Sequence, residues 1–384
     1  MSGRGSMKRI VYIAIKILMA LVRKTWKIRN NKVLFRSFSG KSYSDNPKAI
    51  SEKVHELSPD TEIVWLFNNP EEKKDRVPDY IEIKKNSLLN YILLHATSKV
   101  WVDNACKTLY TSKSNKQVYI QTWHGDRGFK KILYDCHDME KEKKYYLIER
   151  QHCDLMVSGS EYGTMQMRSA FRYAGEIMQK GTPRNDILLE SQDCDKRIKK
   201  ELQIPEKTKV LLYAPTYRNN EKYQRVEGLD LQQVLDELET KTQEKWICLV
   251  RAHAAVKGLA LCLHDNMMDV TGYEDMSELL AITDMLITDY SSCAGDFALT
   301  KKAIILFQND KESYERQDRT FYFSIETSPF FIAKSQDELL QIIREKEKKD
   351  YARNCEKILE FYGTTETGKA SEYVAKYILE KMED

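Results

Sequence analysis

Residues 285–307 read MLITDYSSCAGDFALTKKAIILF, and this stretch decides the fold class of the chain. Two apolar runs, Met285–Thr288 and Ala303–Phe307, have the length and the flanking residues of buried strands. Between them lies a hydroxyl-rich turn, Asp289–Ser292, followed by sequence that favours a helix. A strand, a turn, a helix and a second strand form the repeating unit of a parallel sheet covered by helices.

The same alternation of strands and helices extends through most of the chain, and the candidate strands fall into two sets. The first set is Val33–Phe38, Glu62–Phe67, Lys99–Asp103, Val118–Gln121 and Leu155–Ser158, and the second is Val210–Ala214, Trp246–Arg251, Met268–Thr271, Met285–Thr288 and Ala303–Phe307. A polar stretch at Glu190–Lys207 separates them and predicts the domain boundary. We therefore expect an α/β chain of two doubly wound, Rossmann-like domains facing a central cleft, with ligands at the carboxyl ends of the strands.

Charge and composition exclude several classes of function. The 61 Lys and Arg residues nearly balance the 58 Asp and Glu residues, so the net charge of +3 supplies no broad positive field for a nucleic acid. The eight cysteines contain no C-x-x-C pair, which is typical of reduced packing residues and disfavours a zinc site. Neither a G-x-G-x-x-G nor a Walker A sequence occurs, so the sequence supports no nicotinamide dinucleotide and no P-loop.

The N-terminal region predicts a basic amphipathic helix. Residues Ile10–Val22 are almost continuously apolar and are flanked by lysines and arginines, a pattern typical of a helix that lies on an anionic membrane surface. A helix packed on the globular body and a basic arm for nucleic acid are the alternatives. Residues Met1–Ser6, before a second methionine, are interpreted as a tag remnant.

The domain prediction therefore has three parts. Residues 1–31 comprise the tag remnant and the membrane-associating helix. Residues 32–189 form an N-terminal domain for the acceptor and the catalytic base, and residues 190–384 form a C-terminal domain that binds the donor and carries the terminal helices. The chain is expected on the cytoplasmic face of the membrane as a peripheral protein, and a homo-oligomer is compatible with the sequence.

The segment Gln121–Asp126 is the first candidate for chemistry, because it follows an apolar strand and places Trp123 and His124 before Gly125. A histidine titrates near neutral pH, and the glycine lets a ligand approach the backbone. His124 is therefore the first choice as a general base. A histidine beside a tryptophan is also typical of a packed or capping residue, so that alternative stays open.

Four further segments place anion-binding residue types in loops. Arginine offers a fork of N–H donors to phosphate, and Ser hydroxyls beside backbone N–H groups at a helix start form an anion site. The residues are Arg251 and His253; Asp289, Ser291 and Ser292; Pro215, Thr216 and Arg218; and Arg184 and Asn185. Each segment is equally typical of a surface ion pair, a helix cap or a proline turn. Asp193 and Asp195 spell D-x-D but lie in the polar linker, so no metal site is predicted.

Taken together, these segments resemble the CDP-glycerol:poly(glycerophosphate) glycerophosphotransferase family. The matching pieces, in order, are FRSFSGKSYSDNPKAI, QTWHG followed by KK, SGSEY, GTPRNDIL, VLLYAPTYR, VRAH, LITDYSSCAGDFALTKKAIILF and RTFYF, and they cover about residues 32 to 325. The resemblance implies a GT-B fold whose second lobe binds CDP-glycerol and whose first lobe supplies the base. It implies transfer of glycerol phosphate to a hydroxyl of a membrane- or lipid-linked cell-envelope glycan, of teichoic acid or capsule type, with release of CMP.

The resemblance also implies roles for individual residues. The catalytic residues are His124, which deprotonates the acceptor hydroxyl, and His253. Together with Arg251, His253 binds the donor phosphates and offsets charge on the departing CMP. The remaining residues expected near the donor are Ser291, Ser292, Asp289, Pro215, Thr216, Arg218, Arg184 and Asn185, and those expected on the acceptor side are Trp123, Asp126, Arg127 and Lys130. No cofactor is implied besides the CDP-linked donor.

Three alternatives remain open at this stage. The donor could be CDP-ribitol or another CDP-polyol, or the chain could be a GT-B glycosyltransferase that uses a nucleotide sugar. The chain could also be a non-catalytic partner in envelope assembly, although scaffolding requires none of the histidines or serines named above. The acceptor, the number of units added and the metal requirement are not determined by the sequence.

Overall fold

The computed structural model describes residues 3–136, 143–189, 193–216, 229–252, 264–317 and 320–383. The chain divides into two compact units. Unit 1 comprises residues 1–126, 132–186 and 365–384, and unit 2 comprises residues 127–131 and 187–364. Each unit contains one parallel sheet, which confirms the predicted α/β class.

Unit 1 contains a seven-stranded parallel sheet with the strand order β3-β2-β1-β4-β5-β6-β7. Its strands are β1 (Arg29–Arg36), β2 (Glu62–Phe67), β3 (Glu82–Lys85), β4 (Ser98–Asp103), β5 (Val118–Gln121), β6 (Leu155–Ser158) and β7 (Glu176–Gln179). Its helices are α1 (Gly3–Trp26), α2 (Asp45–Leu57), α3 (Leu88–Thr97), α4 (Lys143–His152) and α5 (Glu161–Ala170), and a short helix α6 (Asp186–Leu189) leads into unit 2.

The sheet of unit 1 is buried on both faces. Side chains of β1 alternate between two hydrophobic clusters, with Val33 and Phe35 in one and Leu34 in the other, as the two-residue period of a strand requires. Every residue of β4 is buried. Parallel sheets covered on both faces need such continuous apolar strands, and for this reason the central strands could be predicted from sequence.

Unit 2 contains a six-stranded parallel sheet with the strand order β10-β9-β8-β11-β12-β13. Its strands are β8 (Lys209–Ala214), β9 (Trp246–Val250), β10 (Met267–Asp269), β11 (Met285–Thr288), β12 (Ala303–Phe307) and β13 (Phe331–Ala333). Its helices are α7 (Asp193–Glu201), α8 (Leu231–Thr242), α9 (Met276–Ile282), α10 (Cys293–Phe297), α11 (Lys311–Gln317), α12 (Gln336–Glu345) and α13 (Lys348–Phe361). The stretch quoted at the outset forms β11, α10 and β12, as its pattern predicts.

Helix α1 has two apolar faces. Ile15 and Met19 are buried against Ile92 of α3, so one face packs on unit 1. On the other side Ile10 and Ile17 are 64% and 56% exposed. Within the described residues, no helix combines the length and the apolar character that a membrane span requires.

The two units differ from the predicted domains at four places. Residues 1–31, predicted as a separate part, belong to unit 1. The sequence predicts a boundary at residue 190, whereas the chain passes from unit 1 to unit 2 between Asp186 and Ile187. The sequence assigns all terminal helices to the second domain, whereas the last helix, α14 (Ala370–Glu383), belongs to unit 1. There Val374, Ala375 and Ile378 join the cluster formed by one face of the sheet. The segment 127–131 lies within the predicted first domain but packs in unit 2.

The buried carboxylate of Asp186 fixes the start of α14. It accepts hydrogen bonds from the backbone N–H groups of Ala370 (2.9 Å) and Ser371 (2.7 Å) and from the Ser371 hydroxyl (2.6 Å). These N–H groups belong to the first turn of the helix and have no partner within it. One side chain that is distant in sequence therefore anchors the C-terminal helix to unit 1.

We expect Asp186→Ala to loosen α14, because the substitution leaves buried N–H groups unsatisfied at a cost of about 1–3 kcal/mol. Amide hydrogen exchange of residues 370–383 measures the effect and should accelerate. Ser335→Ala is the matched control, since it removes a side-chain cap from α12 in unit 2. Equal exchange of α14 in the wild type and in Asp186→Ala would contradict the anchoring role.

Candidate functional site

The loops of interest in unit 1 follow strands at the point where the strand order reverses. Chain connections run in opposite directions from β1 and β4, which are neighbours in the sheet. Ligands of doubly wound sheets bind in the crevice at the carboxyl ends of such strands. The loops after β1, β4 and β5 all open at this edge, and His124 lies in the loop after β5.

A hydrogen bond to the backbone orients the His124 ring. Its Nδ1 lies 2.7 Å from the backbone carbonyl oxygen of Asn104, which follows β4. A carbonyl oxygen can only accept, so Nδ1 carries the proton and Nε2 of the neutral ring keeps its lone pair. The side chain of Asn104 is itself fixed, because its Oδ1 accepts from the Phe38 N–H at 2.7 Å. The arrangement leaves Nε2 as a proton acceptor.

Two aromatic rings flank the imidazole. The ring centroid of Trp123 lies 4.1 Å from that of His124, and the centroid of Phe38 lies 5.4 Å away. Trp123, Phe38, Ser39 and Asp45 all have positive φ values, between 44° and 66°. Residues other than glycine rarely adopt this backbone conformation. Backbone strain of this kind concentrates at functional sites.

Asn46 joins three loops of the site. Its side-chain amide donates to the carbonyl oxygen of Trp123 at 3.0 Å, and its Oδ1 accepts the backbone N–H of Arg184 at 3.0 Å. Asn46 is fully buried. Arg184 and Asn185, predicted near the donor, are thus placed in unit 1 beside the loop that carries His124.

Glu366, from the C-terminal segment, fixes the Arg184 loop from its other side. Its carboxylate accepts the Thr182 N–H at 2.8 Å and the side-chain amide of Asn185 at 3.0 Å. The Arg184 guanidinium lies 3.8 Å from the carboxylate of Asp45. Arg184, Asp45 and Asp103 are the charged side chains that act on the His124 ring.

The pKa of His124 is lowered from its ordinary value of 6.5. The first cause is desolvation, because the loops around the ring disfavour the charged imidazolium even though His124 is exposed to solvent. The Asn104 hydrogen bond and the carboxylate of Asp45 act in the opposite direction, and the cation of Arg184 lowers the pKa further. The ring is consequently neutral, and able to accept a proton, at neutral pH.

Asp126, predicted on the acceptor side, is buried within unit 1. Its carboxylate accepts from the hydroxyls of Ser158 (3.0 Å) and Ser160 (2.6 Å) and from the Gly159 N–H (3.0 Å). A Cβ at Gly163 would come within 1.9 Å of Asp126 Oδ1, so a glycine is required there. Asp126 ties the end of the His124 loop to the loop after β6.

Arg127 and Lys130, also predicted on the acceptor side, are placed in unit 2. The fully buried guanidinium of Arg127 pairs with Asp296 of α10 at 2.9 Å. Lys130 Nζ lies 5.1 Å from the centroid of the Tyr314 ring. These contacts give both residues a part in packing the segment 127–131 on unit 2.

The second group of predicted residues lies at the corresponding edge of the other sheet. In unit 2 the strand order reverses between β8 and β11. Asp289, after β11, accepts the backbone N–H of Thr216, after β8, at 2.9 Å from Oδ1. Because an ionised carboxylate has no hydrogen to donate to a phosphate, Asp289 acts here by orienting the loop that contains Pro215.

Side chains that can donate hydrogen bonds to an anion lie in the loops after β9 and β11, at the same edge of this sheet. Arg251 follows β9, donates through Nη2 to the Glu274 carbonyl oxygen at 3.2 Å, and has its Nη1 buried without a hydrogen-bond partner among the described residues. Burial chiefly lowers the pKa of Arg251. Ser291 and Ser292 are half-buried, and Ser292 makes no side-chain capping hydrogen bond. His253 and Arg218, predicted in the same region, lie outside the described residues.

Over the described part of the chain, no group of three His, Cys, Asp or Glu side chains is arranged to hold a metal ion. Asp195 of the D-x-D pair lines a cavity of about 870 Å³ in unit 2 together with Lys302 and Asp284. Lys209 and Lys302 on its wall lie at the starts of β8 and β12, so the cavity opens at the opposite edge of the sheet from Ser291.

Several residues of the site were not singled out from sequence. They are Phe38, Asp45, Asn46, Asn104 and Glu366. The first three lie in the segment FRSFSGKSYSDNPKAI, so its match to a family motif was the available signal. Asn104 acts on His124 through its backbone carbonyl, which no side-chain pattern reports.

Comparison with known proteins gives concordant matches. A model of the family described as CDP-Glycerol:Poly(glycerophosphate) glycerophosphotransferase matches residues 17–380. A teichoic acid poly(glycerol phosphate) polymerase from Staphylococcus epidermidis is 32% identical over 94% of this chain and 52% of its own length. A protein of the same name from Bacillus spizizenii is 30% identical over 99% of this chain and 98% of its own length.

A solved structure also matches the whole chain. It is a variant of the wall teichoic acid polymerase TagF soaked with CDPG, 30% identical, covering 99% of this chain and 97% of its own, with a TM-score of 0.82. This match supports the GT-B-like fold class that the sequence indicates. The chain spans about half the length of some curated relatives, 52% of the Staphylococcus epidermidis protein and 50% of a protein of the same name from Bacillus subtilis.

The charges beside His124 predict opposite effects of two substitutions on its pKa. Arg184→Gln removes a cation and should raise the pKa, whereas Asp45→Asn removes an anion and should lower it. NMR titration of the His124 ring measures both shifts, and in the wild type the midpoint should lie below 6.5.

Arg29→Gln is the control, since it removes an exposed cation at the amino end of β1 and should leave the His124 midpoint unchanged. A wild-type midpoint above 6.5, or shifts of the same sign in both site variants, would contradict the described surroundings of the ring.

Proposed function

Because this chain belongs to the CDP-glycerol:poly(glycerophosphate) glycerophosphotransferase family, we propose that it transfers glycerol phosphate from CDP-glycerol to a hydroxyl group of a teichoic-acid-type acceptor. The acceptor oxygen forms a bond to the phosphorus that carries glycerol, the bond from that phosphorus to CMP breaks, and CMP leaves. The observation that carries the proposal is the His124 ring, whose Nδ1 is bound to the Asn104 carbonyl and whose Nε2 is left as a base.

In this mechanism His124 takes the proton of the acceptor hydroxyl. Its lowered pKa supports the role, because the neutral ring is the form that accepts a proton. A general base contributes typically about 10²–10⁴-fold to a rate. The ring orientation is preset by Asn104, so little reorganisation is needed when the acceptor arrives.

Unit 2 is proposed to hold the donor. Phosphoryl transfer depends mainly on positioning and on stabilising charge at the transferred and departing phosphates. The guanidinium of Arg251 and the hydroxyls of Ser291 and Ser292 supply hydrogen-bond donors at one sheet edge, and Asp289 holds the loop of Pro215 and Thr216 beside them. His253 and Arg218 are included in the proposal from their sequence motifs alone. The proposal includes no resident cofactor, because these donors can offset phosphate charge.

Glycerol is favoured over ribitol as the polyol of the donor. The relatives reported above are named for glycerol phosphate, and one TagF structure was soaked with CDPG. CDP-ribitol remains the second candidate, and a nucleotide sugar the third. Release of CMP from each CDP-polyol, and of UDP from UDP-sugars, separates the three.

The acceptor is proposed to be lipid-linked and the chain to sit peripherally on the cytoplasmic face of an anionic membrane. The exposed side of α1 supports this, since Ile10, Ile13 and Ile17 are 64%, 51% and 56% exposed and lie among basic residues. Leu88 and Leu89 at the start of α3, 51% and 64% exposed, extend the apolar surface of the helix pair.

For catalysis, the informative variant is His124→Asn. Its amide can still donate to the Asn104 carbonyl but offers no base at the Nε2 position. We expect kcat for acceptor-dependent CMP release to fall about 10²–10⁴-fold while the Kd of CDP-glycerol changes by less than about threefold. His55→Asn, on α2 and stacked on Tyr80, is the matched control and should keep full activity. Retained turnover in His124→Asn would remove the base assignment.

For membrane binding, the double variant Ile10→Glu/Ile17→Glu should lose at least about tenfold in affinity for phosphatidylglycerol vesicles, because it places charge on the apolar face. Vesicle co-sedimentation measures this. Leu57→Glu/Met165→Glu introduces the same charge at other exposed apolar sites, 40% and 54% exposed, and should bind like the wild type. Equal binding by both double variants would reject the membrane-facing role of α1.

A further inference from the structure

A buried polar network lies beneath the loop that carries His124. Gln121, the last residue of β5, is fully buried, as are Tyr119 on the same strand and Glu149 on α4. The Gln121 Nε2 donates to Glu149 Oε2 at 2.9 Å, and the Gln121 Oε1 accepts the backbone N–H of Trp123 at 2.8 Å. One glutamine therefore connects a buried carboxylate to the residue before His124.

The orientation of the Gln121 amide is determined by its partners. A carboxylate only accepts hydrogen bonds, and a backbone N–H only donates. With Nε2 toward Glu149 and Oε1 toward Trp123 both demands are met, whereas the flipped amide would face like groups on both sides. Glu149, at 2.9 Å from Nε2, and the Ala105 carbonyl oxygen, at 3.3 Å, thus select the one amide orientation in which Trp123 receives an acceptor.

The hydrogen bond from the Trp123 N–H to Gln121 stabilises an unusual backbone conformation at Trp123. Its φ of 52° lies in the left-handed region, which a tryptophan rarely adopts. Such a conformation persists where surrounding contacts over-determine it. Gln121 holds the peptide before Trp123, and Asn46 holds the carbonyl after it at 3.0 Å. The two contacts together fix where His124 leaves the backbone.

We propose that Gln121, locked by Glu149, is a positioning residue that holds His124 Nδ1 on the Asn104 carbonyl. The inference deepens the proposed function and rests on it, since it concerns the same base. Gln121 does not touch the reacting atoms. Through Trp123, Gln121 sets the direction of the His124 ring. That direction keeps Nδ1 on the Asn104 carbonyl, so the proton stays on Nδ1 and Nε2 is left unprotonated.

The charges around Glu149 determine which substitutions can test the proposal. Its Oε1 accepts the backbone N–H of Lys107, whose Nζ pairs with Asp103 at 2.8 Å, and Asp103 also binds Arg36 at 2.7 Å. Two cations and two anions are thus buried together. Neutralising Glu149 would leave an excess buried charge, so a Glu149 variant would test folding rather than positioning.

Gln121→Met is the first test variant, because methionine fills a similar volume but offers Trp123 no acceptor. Gln121→Asn is the second, since it keeps the amide but is too short to reach both partners. Tyr119→Phe is the matched control. Its hydroxyl donates to the same Glu149 Oε2 at 2.6 Å and accepts from the Gln121 Nε2 at 2.8 Å. The substitution therefore removes one partner of Gln121 but keeps Glu149 on Nε2 and the contact from Oε1 to Trp123.

In the wild-type chain, ¹⁵N NMR of the His124 ring, assigned with His124→Asn, should show the proton on Nδ1. Both Gln121 variants should show mixed Nδ1 and Nε2 protonation, and Tyr119→Phe the wild-type pattern. Acceptor-dependent CMP release should show kcat reduced about 10–100-fold in the Gln121 variants, with the KM of CDP-glycerol within about threefold, since small misplacements of a base cost about this much.

An unchanged His124 tautomer in both Gln121 variants would overturn the proposal, as would equal losses of kcat in Tyr119→Phe and Gln121→Met that follow their losses in thermal stability. Failure of the wild type with every CDP-polyol would instead contradict the proposed function. The ring signals would still decide whether Gln121 positions His124, because they do not depend on turnover.

Discussion

The hydrogen bond from His124 Nδ1 to the Asn104 carbonyl oxygen, 2.7 Å long, ties the chemistry of unit 1 to its fold. It joins the loop after β5 to the loop after β4, at the edge where the strand order reverses. Because a carbonyl cannot donate, the bond fixes the tautomer as well as the direction of the ring. Other features of the site, from the positive-φ residues to the buried amides, serve to keep these two loops in register.

Buried polar groups stabilise the unusual backbone conformations that this arrangement requires. Phe38 and Trp123 have left-handed backbone conformations, and each is held by a side-chain amide: Asn104 accepts from the Phe38 N–H, and Gln121 accepts from the Trp123 N–H. Amides suit this task because they donate and accept at once and carry no charge to be neutralised. In unit 2 a carboxylate, Asp289, holds the loop of Thr216 in a comparable way. Both units thus fix the loops that follow their strands with buried polar side chains.

The sequence predicted the centre of each sheet better than its edges. Glu62–Phe67 and Val118–Gln121 are confirmed with their bounds, because central parallel strands are buried on both faces and are almost continuously apolar. The strands Glu82–Lys85, Glu176–Gln179 and Phe331–Ala333 were not predicted. They are short and mostly half-exposed or exposed at sheet edges, so their sequences carry no clear apolar run.

The candidate site shows a similar limit. His124 could be singled out because its residue type reports its chemistry, whereas the carbonyl of Asn104 and the left-handed backbone of Trp123 have no signature in residue type. Asp126 and Arg127 are both charged residues that follow the histidine closely in sequence. Asp126 is nevertheless buried in unit 1 and Arg127 in unit 2. Contacts between residues far apart in sequence determine which unit buries each side chain, and these contacts do not follow from the residue types near the histidine.

The central claim is that neutral His124 accepts the proton of the acceptor hydroxyl, and the pH dependence of kcat/KM for acceptor-dependent CMP release tests it most directly. The free-enzyme base must be unprotonated, so the rate should be constant near neutral pH and fall as the pH drops through the lowered pKa, with a midpoint below 6.5. A midpoint above 6.5, or a rate that does not fall on the acid side, would contradict the account.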